Sequence, residues 1–316
     1  MSKMNKRVYG VLGISSVMAN WNADFSGFPK TTTKGQFFGS DKALKFPMKK
    51  MWEEAGEKVL NIKSFTVSKP DKNGAVFLVP RTLKERYEYI FGVEDMKKDK
   101  DIKVILKNLF SAIDVKNFGS TFAEADANIS ITGAVQIGQG FNLYNGSETQ
   151  EQNILSPFKD PKAAEKNKEG KDAKNSTLGT KIVSDEAHYF YPFVINPKVY
   201  DNFEQLGVTE GYTEEDYQKF KEAALKGTTS FATNSKVGCE NEFGLFIETE
   251  PTLYLPNLDK YVTFIKGAEK NTIQVNVKDR VLSAEIHYNP HTTEIASDIE
   301  GVKYFDIFTG KEIEKQ

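Results

Sequence analysis

Apolar residues in this chain fall into two rhythms, and the switches between them mark the elements. Arg7–Ala19 (RVYGVLGISSVMA) is a nearly unbroken apolar run rich in branched residues, which predicts a central strand. Residues 20–39 follow, dense in Asn, Gly, Pro, Thr and Lys. They are too polar for a core and read as an exposed loop of about 20 residues, a length that in compact domains is usually functional or disordered. Ser40 then stands as a helix cap, with Leu44, Met48, Met51, Trp52 and Ala55 at helical spacing behind it. Pro47 is expected either to kink that helix or to mark its real start.

Residues 58–79 predict one or two strands, turning at Asp71-Lys72-Asn73-Gly74. Residues 82–91 and 102–113 carry helical spacing, and 129–137 (ISITGAVQI) is strand-like. From 146 to 180 the composition turns polar and lysine-rich, which predicts an inserted arm or flexible loop rather than a core helix. Strand character returns over 183–195. Thr213, with Asp216 three residues on, opens a helix to Leu225, and a polar loop over 226–236 leads into a strand over 242–248. Further strands follow over 272–277 and 281–288, and no fixed-period repeat is present. Helices and strands mix without regular alternation, so the fold class is α+β: a sheet-plus-helix body carrying projecting insertions.

Composition narrows the function classes. At 316 residues the chain can bury a sizeable core, and 27% charged with 12% aromatic residues fits an ordinary globular protein. No run of 18 apolar residues exists, so no membrane span is expected. Residues 1–7 are basic, but no small-residue cleavage site follows the apolar run, so no signal peptide is expected either. A single cysteine, Cys239, excludes a disulfide framework and a cysteine-built zinc site. Together these features point to the cytoplasm. With 42 Lys and Arg against 44 Asp and Glu, the net charge of −2 is not that of a protein coating duplex DNA. Nucleic-acid binding then requires local basic clusters.

Two clusters stand out. Lys42, Lys45 and Lys49 share one face of the first helix, opposite the apolar face, with Lys50 nearby. A cationic row at a helix start suits a phosphate backbone, and it equally suits a plain solvated helix face. The second cluster is Gly227-Thr228-Thr229-Ser230-Phe231-Ala232-Thr233-Asn234-Ser235-Lys236, read as a loop of hydroxyls, an amide, an aromatic ring and a cation. Such donors hold phosphate and sugar while Phe231 stacks on a base, or they form an ordinary Ser/Thr turn.

Signals for catalysis are weak. Pro290 and strand-like flanks separate His287 from His291, so they make no helical metal pair. Cys239 lacks a histidine or basic partner nearby and reads as a small strand residue. Residues 133–140 (GAVQIGQG) have neither a Walker lysine nor a following helix. Glu214, Glu215 and Asp216 sit where a helix dipole accounts for them. No cofactor and no metal are expected.

Four stretches in order together resemble a known family, the backbone subunit of Cascade, the type I CRISPR interference complex, most closely in its type I-B branch. They are ANWNADF at 19–25, GSDKALK at 39–45, FGSTFA at 118–123 leading to NISITGAVQ at 128–136, and 227–238 ending in NSKVG. The resemblance implies an RRM-type (ferredoxin-like) palm spanning 1–316, with a finger insertion at about 58–100 and a thumb hairpin at about 146–181. It implies copies stacked head-to-tail along one guide RNA (crRNA), an open heterologous assembly whose length is set by the RNA and capping subunits. The thumb displaces a nucleotide at intervals, and the remaining bases pair with target DNA, so pairing rather than protein reads the sequence. The large, small and repeat-processing Cascade subunits are the further partners.

Carried over by that resemblance, Lys42, Lys45, Lys49 and Lys50 hold phosphates, while Asn20, Asn22 and Ser40 approach RNA from the adjoining loop. Thr229, Ser230, Asn234, Ser235 and Lys236 form the second RNA-facing loop, and Phe158 with Lys159 and Lys162 lies in the thumb, Phe158 as its wedge. Type III relatives cut target RNA with an aspartate in the loop after the first strand, where Asp24 stands here. Asp24 is therefore the alternative catalytic residue, unless it caps a turn. A stand-alone RRM-like RNA binder is the third reading.

Overall fold

The computed structural model of the chain describes residues 2–96, 101–124, 127–155, 177–277 and 282–315. The first strand, β1 (Arg7–Ala19), lies at the centre of the main sheet, as its apolar run predicts. It pairs antiparallel on one side with the long strand Thr177–Ile195 and on the other with Cys239–Thr249. Both of its faces are covered, so Val8 and Leu12 enter one core and Tyr9 and Val11 the other. An alternating amphipathic strand could not fill that place.

In chain order the remaining strands are β2 (Phe38–Gly39), β3 (Phe65–Val67), β4 (Leu78–Pro80), β5 (Gly119–Glu124), β6 (Ala127–Thr132), β7 (Val135–Ile137), β8 (Gly140–Asn142) and β9 (Thr149–Leu155). They continue with β10 (Thr177–Ile195), β11 (Cys239–Thr249), β12 (Val262–Ile265), β13 (Asn271–Val275), β14 (Ser283–Tyr288), β15 (Thr293–Ser297), β16 (Lys303–Asp306) and β17 (Glu312–Ile313). Among the described residues the main sheet runs β17-β16-β14-β11-β1-β10-β8-β2, with β7 and β9 also bonded to β10. The helices are α1 (Asp41–Glu54), α2 (Leu83–Phe91), α3 (Ile102–Ser111), α4 (Ile113–Phe118), α5 (Asp201–Gln205) and α6 (Glu214–Ser230). The α+β class is borne out.

Three layers result. Helices α1 and α6 pack on each other and on one face of the sheet, burying Leu44, Met48 and Trp52 of α1 against Phe220, Ala223 and Ala224 of α6. The opposite face meets the small sheet β12-β13-β15 through Phe190, Phe243 and Leu245 against Phe264, Ile273 and Ile295.

Local chemistry explains the helix boundaries. Ser40 caps α1, its hydroxyl accepting from the Ala43 N–H at 3.3 Å, and α6 opens on a reciprocal box between Thr213 and Asp216. Pro47 does not mark the start of α1: it lies buried inside one continuous helix, because the Ser40 cap and the apolar stripe set the boundary six residues earlier.

Two projections leave the body. Strands β3 and β4 form a hairpin turning at Asp71–Gly74, where the Asp71 carboxylate accepts from the Asn73 and Ala75 N–H groups, as the sequence predicts. Strand β9, exposed along its whole length, pairs with the first half of β10. Phe158, Lys159 and Lys162 lie outside the described residues. No helix among the described residues is long and apolar enough to cross a membrane.

Candidate nucleic-acid interface

The loop after β1 is not a floppy excursion. It folds as two successive tight turns, with bridges Ala23–Pro29 and Thr31–Phe37. Asp24 caps the first of these, its Oδ1 accepting from the N–H groups of Ser26 (2.8 Å) and Phe28 (3.0 Å). Asn22 ties the loop to the helix start, its Oδ1 accepting from the Ser40 N–H at 2.9 Å. Behind it the Trp21 indole donates to the Tyr191 hydroxyl, and a Cβ on Gly39 would stand 1.8 Å from that hydroxyl, so only glycine fits there.

This loop is stitched to the one before β11. The Asn20 N–H donates to the Ser235 carbonyl at 3.0 Å, while the Asn20 side-chain amide donates to Gly27 and Ile182. Lys236 turns inward beneath both loops and donates to the carbonyls of Asn20 and Trp21, over the Trp21 ring. Burial pulls its pKa below the usual lysine range. Lys236 therefore acts as a clamp between the loops, and Asn20, 5% exposed, acts as their pin.

The second cluster needs correcting. Gly227, Thr228, Thr229 and Ser230 are not loop residues but the last turn of α6. Gly227 passes so near the Met48 backbone that a Cβ would sit 3.2 Å from it, which fixes the helix crossing. Asn241, on β11, holds the end of the helix: its Oδ1 accepts from the Thr228 and Thr229 N–H groups, and its own N–H donates to Thr229 Oγ1. The Ser230 hydroxyl donates back to the Gly227 carbonyl. Phe231 packs edge-on against Phe46, their centroids 5.3 Å apart, while Asn234 and Ser235 stand exposed.

The lysine row is also differently disposed from a free cationic face. Lys42 is exposed and, among the described residues, has no ion-pair partner. Lys45 bonds Asp41 at 2.9 Å, and Lys50 bonds Glu53 at 2.8 Å. Lys49 donates to the Asn61 carbonyl and lies 3.7 Å from Asp114, a fully buried carboxylate that also accepts from the Leu60 and Asn61 N–H groups. Burial drives the Lys49 pKa down, with Asp114 opposing. Both Lys45 and Lys49 lie over the Phe118 ring. The row thus divides its tasks: Lys42 faces solvent, Lys45 and Lys50 pair with carboxylates of α1 itself, and Lys49 ties α1 to Asn61 and Asp114.

The rim that results, from Phe25 past Lys42 to Asn234 and Ser235, offers the exposed cation of Lys42, polar side chains and a fully exposed ring at Phe25. Sequence reasoning missed Asp114, Asn61 and Asn241, which position this rim from a distance. It also missed His188, buried between Glu242 (2.8 Å) and Glu186 (3.0 Å) and stacked on Phe264. Burial opposes its charge, but the two carboxylates outweigh burial and raise its pKa. Among the described residues no group of three or more His, Cys, Asp and Glu is arranged to hold a metal ion.

No curated protein matches the chain. A solved structure described as a CRISPR RNA-guided surveillance complex, pre-nicking, shares 14% identity, with a TM-score of 0.47, over 78% of this chain and 83% of that one. The family model for CRISPR-associated protein Cas7 matches residues 6–285, from the first strand through both interface loops to β14, and the chain belongs to that family.

Proposed function

We propose that this protein is a non-catalytic guide-RNA-binding backbone subunit of a type I CRISPR interference complex, of the I-B branch, working in the cytoplasm. The observation that carries the reading is the pairing of family membership with a preformed rim. Two loops far apart in sequence, Lys236 and Asn20 being 216 positions apart, are clamped together by these two residues, leaving Lys42, Asn234 and Ser235 at the surface. A preformed rim with Lys42 at its surface suits a protein that holds a backbone at fixed intervals and leaves base reading to pairing. Asn22, Ser40, Thr229 and Ser230 shape it, Lys45, Lys49 and Lys50 support it, and the arm built on β9 and β10 is the thumb. Copies stack along the guide, with target DNA and the large, small and repeat-processing subunits as partners.

The cleavage alternative is disfavoured by Asp24 itself, whose carboxylate is committed to capping its own turn. Co-expression with a guide, size-exclusion chromatography and sizing of the extracted nucleic acid test the reading. A large particle carrying intact RNA of one length is expected. A monomer without RNA refutes it, and RNA cut at regular intervals reinstates Asp24 as a catalyst.

A further inference from the structure

Residues 58–92 carry seven lysines and arginines against three acidic residues, in a chain whose net charge is −2. This excess is spatially organised. Ser64, Phe65, Arg81, Arg86 and Tyr89 line one open groove of about 530 Å³, with Lys58 at its edge. Arg81 lies over the Tyr89 ring at 4.2 Å and donates to the Phe65 carbonyl; Lys63 sits over the Phe65 ring at 4.9 Å. Among the described residues no carboxylate is within ion-pair distance of Lys58, Lys63 or Arg81. The two carboxylates that reach the groove are already neutralised, Glu53 by Lys50 and Arg86, and Glu57 by Lys219. Tyr89 is 63% and Phe65 48% exposed, and Val67 and Leu78 continue the apolar face along the hairpin.

Exposed rings interleaved with unpaired cations match one ligand chemistry: unstacked bases on a phosphate backbone. A duplex hides its ring faces, so it could use the cations but not Phe65 or Tyr89. A protein partner would have to bring a separate carboxylate to each of the three cations, whereas a phosphate backbone supplies its anions in a row. We propose that the face formed by Phe65, Tyr89, Lys63 and Arg81 binds single-stranded DNA, namely the strand displaced when target DNA pairs with the guide. The identity of that strand rests on the function proposed above; the face's preference for single strands does not. The groove lies at the C-terminal end of α1, whereas the guide-holding rim lies at its N-terminal end, so the two sites are separate.

The RNA-loaded protein is titrated into a fluorescein-labelled oligothymidylate, and into a duplex and an RNA of the same length. Wild type is expected to bind the single-stranded DNA, with the affinity of Phe65→Ala/Tyr89→Ala at least tenfold lower and its RNA content unchanged. Lys63→Glu is expected to lower both affinity and salt dependence. Unchanged affinity in both variants overturns the proposal, as does tighter binding of the duplex or the RNA through these residues. Radical footprinting that finds Phe65 and Tyr89 protected before DNA is added also overturns it, because another protein then covers the face. If the guide never loads, the RNA-free chain is titrated instead. Loss of the guide-binding reading with single-strand binding intact, or the reverse, separates the two claims.

Discussion

The rim at the start of α1 and the groove at its end carry similar residues and use them oppositely. At the rim, Lys45, Lys49 and Lys236 are spent inside the fold, on Asp41, on Asn61 and Asp114, and on the carbonyls of Asn20 and Trp21. At the groove, Lys58, Lys63 and Arg81 rest on aromatic rings with no carboxylate against them among the described residues. A lysine in a sequence motif can thus be a structural tie, while one outside any motif is the available cation. Availability is settled by what else lies nearby, often from far along the chain.

The contrast sharpens under substitution. Removing Asp114 strands Lys49 and two backbone N–H groups in the interior, and Asp114→Ala should cost about 3–5 kcal/mol in urea unfolding. Lys236→Ala orphans the carbonyls of Asn20 and Trp21 and should cost about 2–3 kcal/mol by the same measurement, with the two loops gaining fast amide exchange. Lys63→Ala, by contrast, should leave the urea midpoint where it is. If Lys236→Ala proves equally silent, the clamp is not a clamp and the comparison collapses.

A pH series probes the core between the main and small sheets. The raised His188 pKa means that its bonds to Glu242 and Glu186 contribute stability in full below the ordinary histidine value of about 6.5. That contribution fades as pH rises through the folded-state value. The unfolding midpoint should therefore drop between acid and mildly alkaline buffer, and His188→Gln should flatten the drop. The smallest effect belongs to the rim's free cation: Lys42→Ala should leave stability unchanged and reduce the salt slope of RNA binding by about 0.7, the share of one phosphate on a single strand. A slope change of that size from Lys49→Ala instead would mean that the buried lysine swings out to the RNA.

Much of this was legible in the residues. The apolar run of β1, the Ser40 and Thr213 caps and the Asp71–Gly74 turn all follow from local chemistry, and they appear where local chemistry puts them. The misreadings share one cause, a distant partner. α6 runs on to Ser230 because Asn241, from the next strand, supplies the bonds that a Gly-Thr-Thr-Ser stretch lacks by itself. Lys49 turns in because Asp114 lies beneath it, and the His188 pKa is raised because β11 delivers Glu242. None of these partners is within ten residues of the group it controls. Family likeness in four stretches supplied what local pattern could not, and the match over 6–285 agrees with it.

Photo-crosslinking of a guide RNA carrying 4-thiouridine, followed by mass spectrometry of the co-purified complex, bears on the division of labour between rim and groove. Crosslinks should fall on the rim, at Phe25, Lys42 and residues 233–236, with Phe65 and Tyr89 unmarked. Crosslinks confined to Phe65 and Tyr89, with the rim bare, would show that the guide lies in the groove and that the rim holds no RNA.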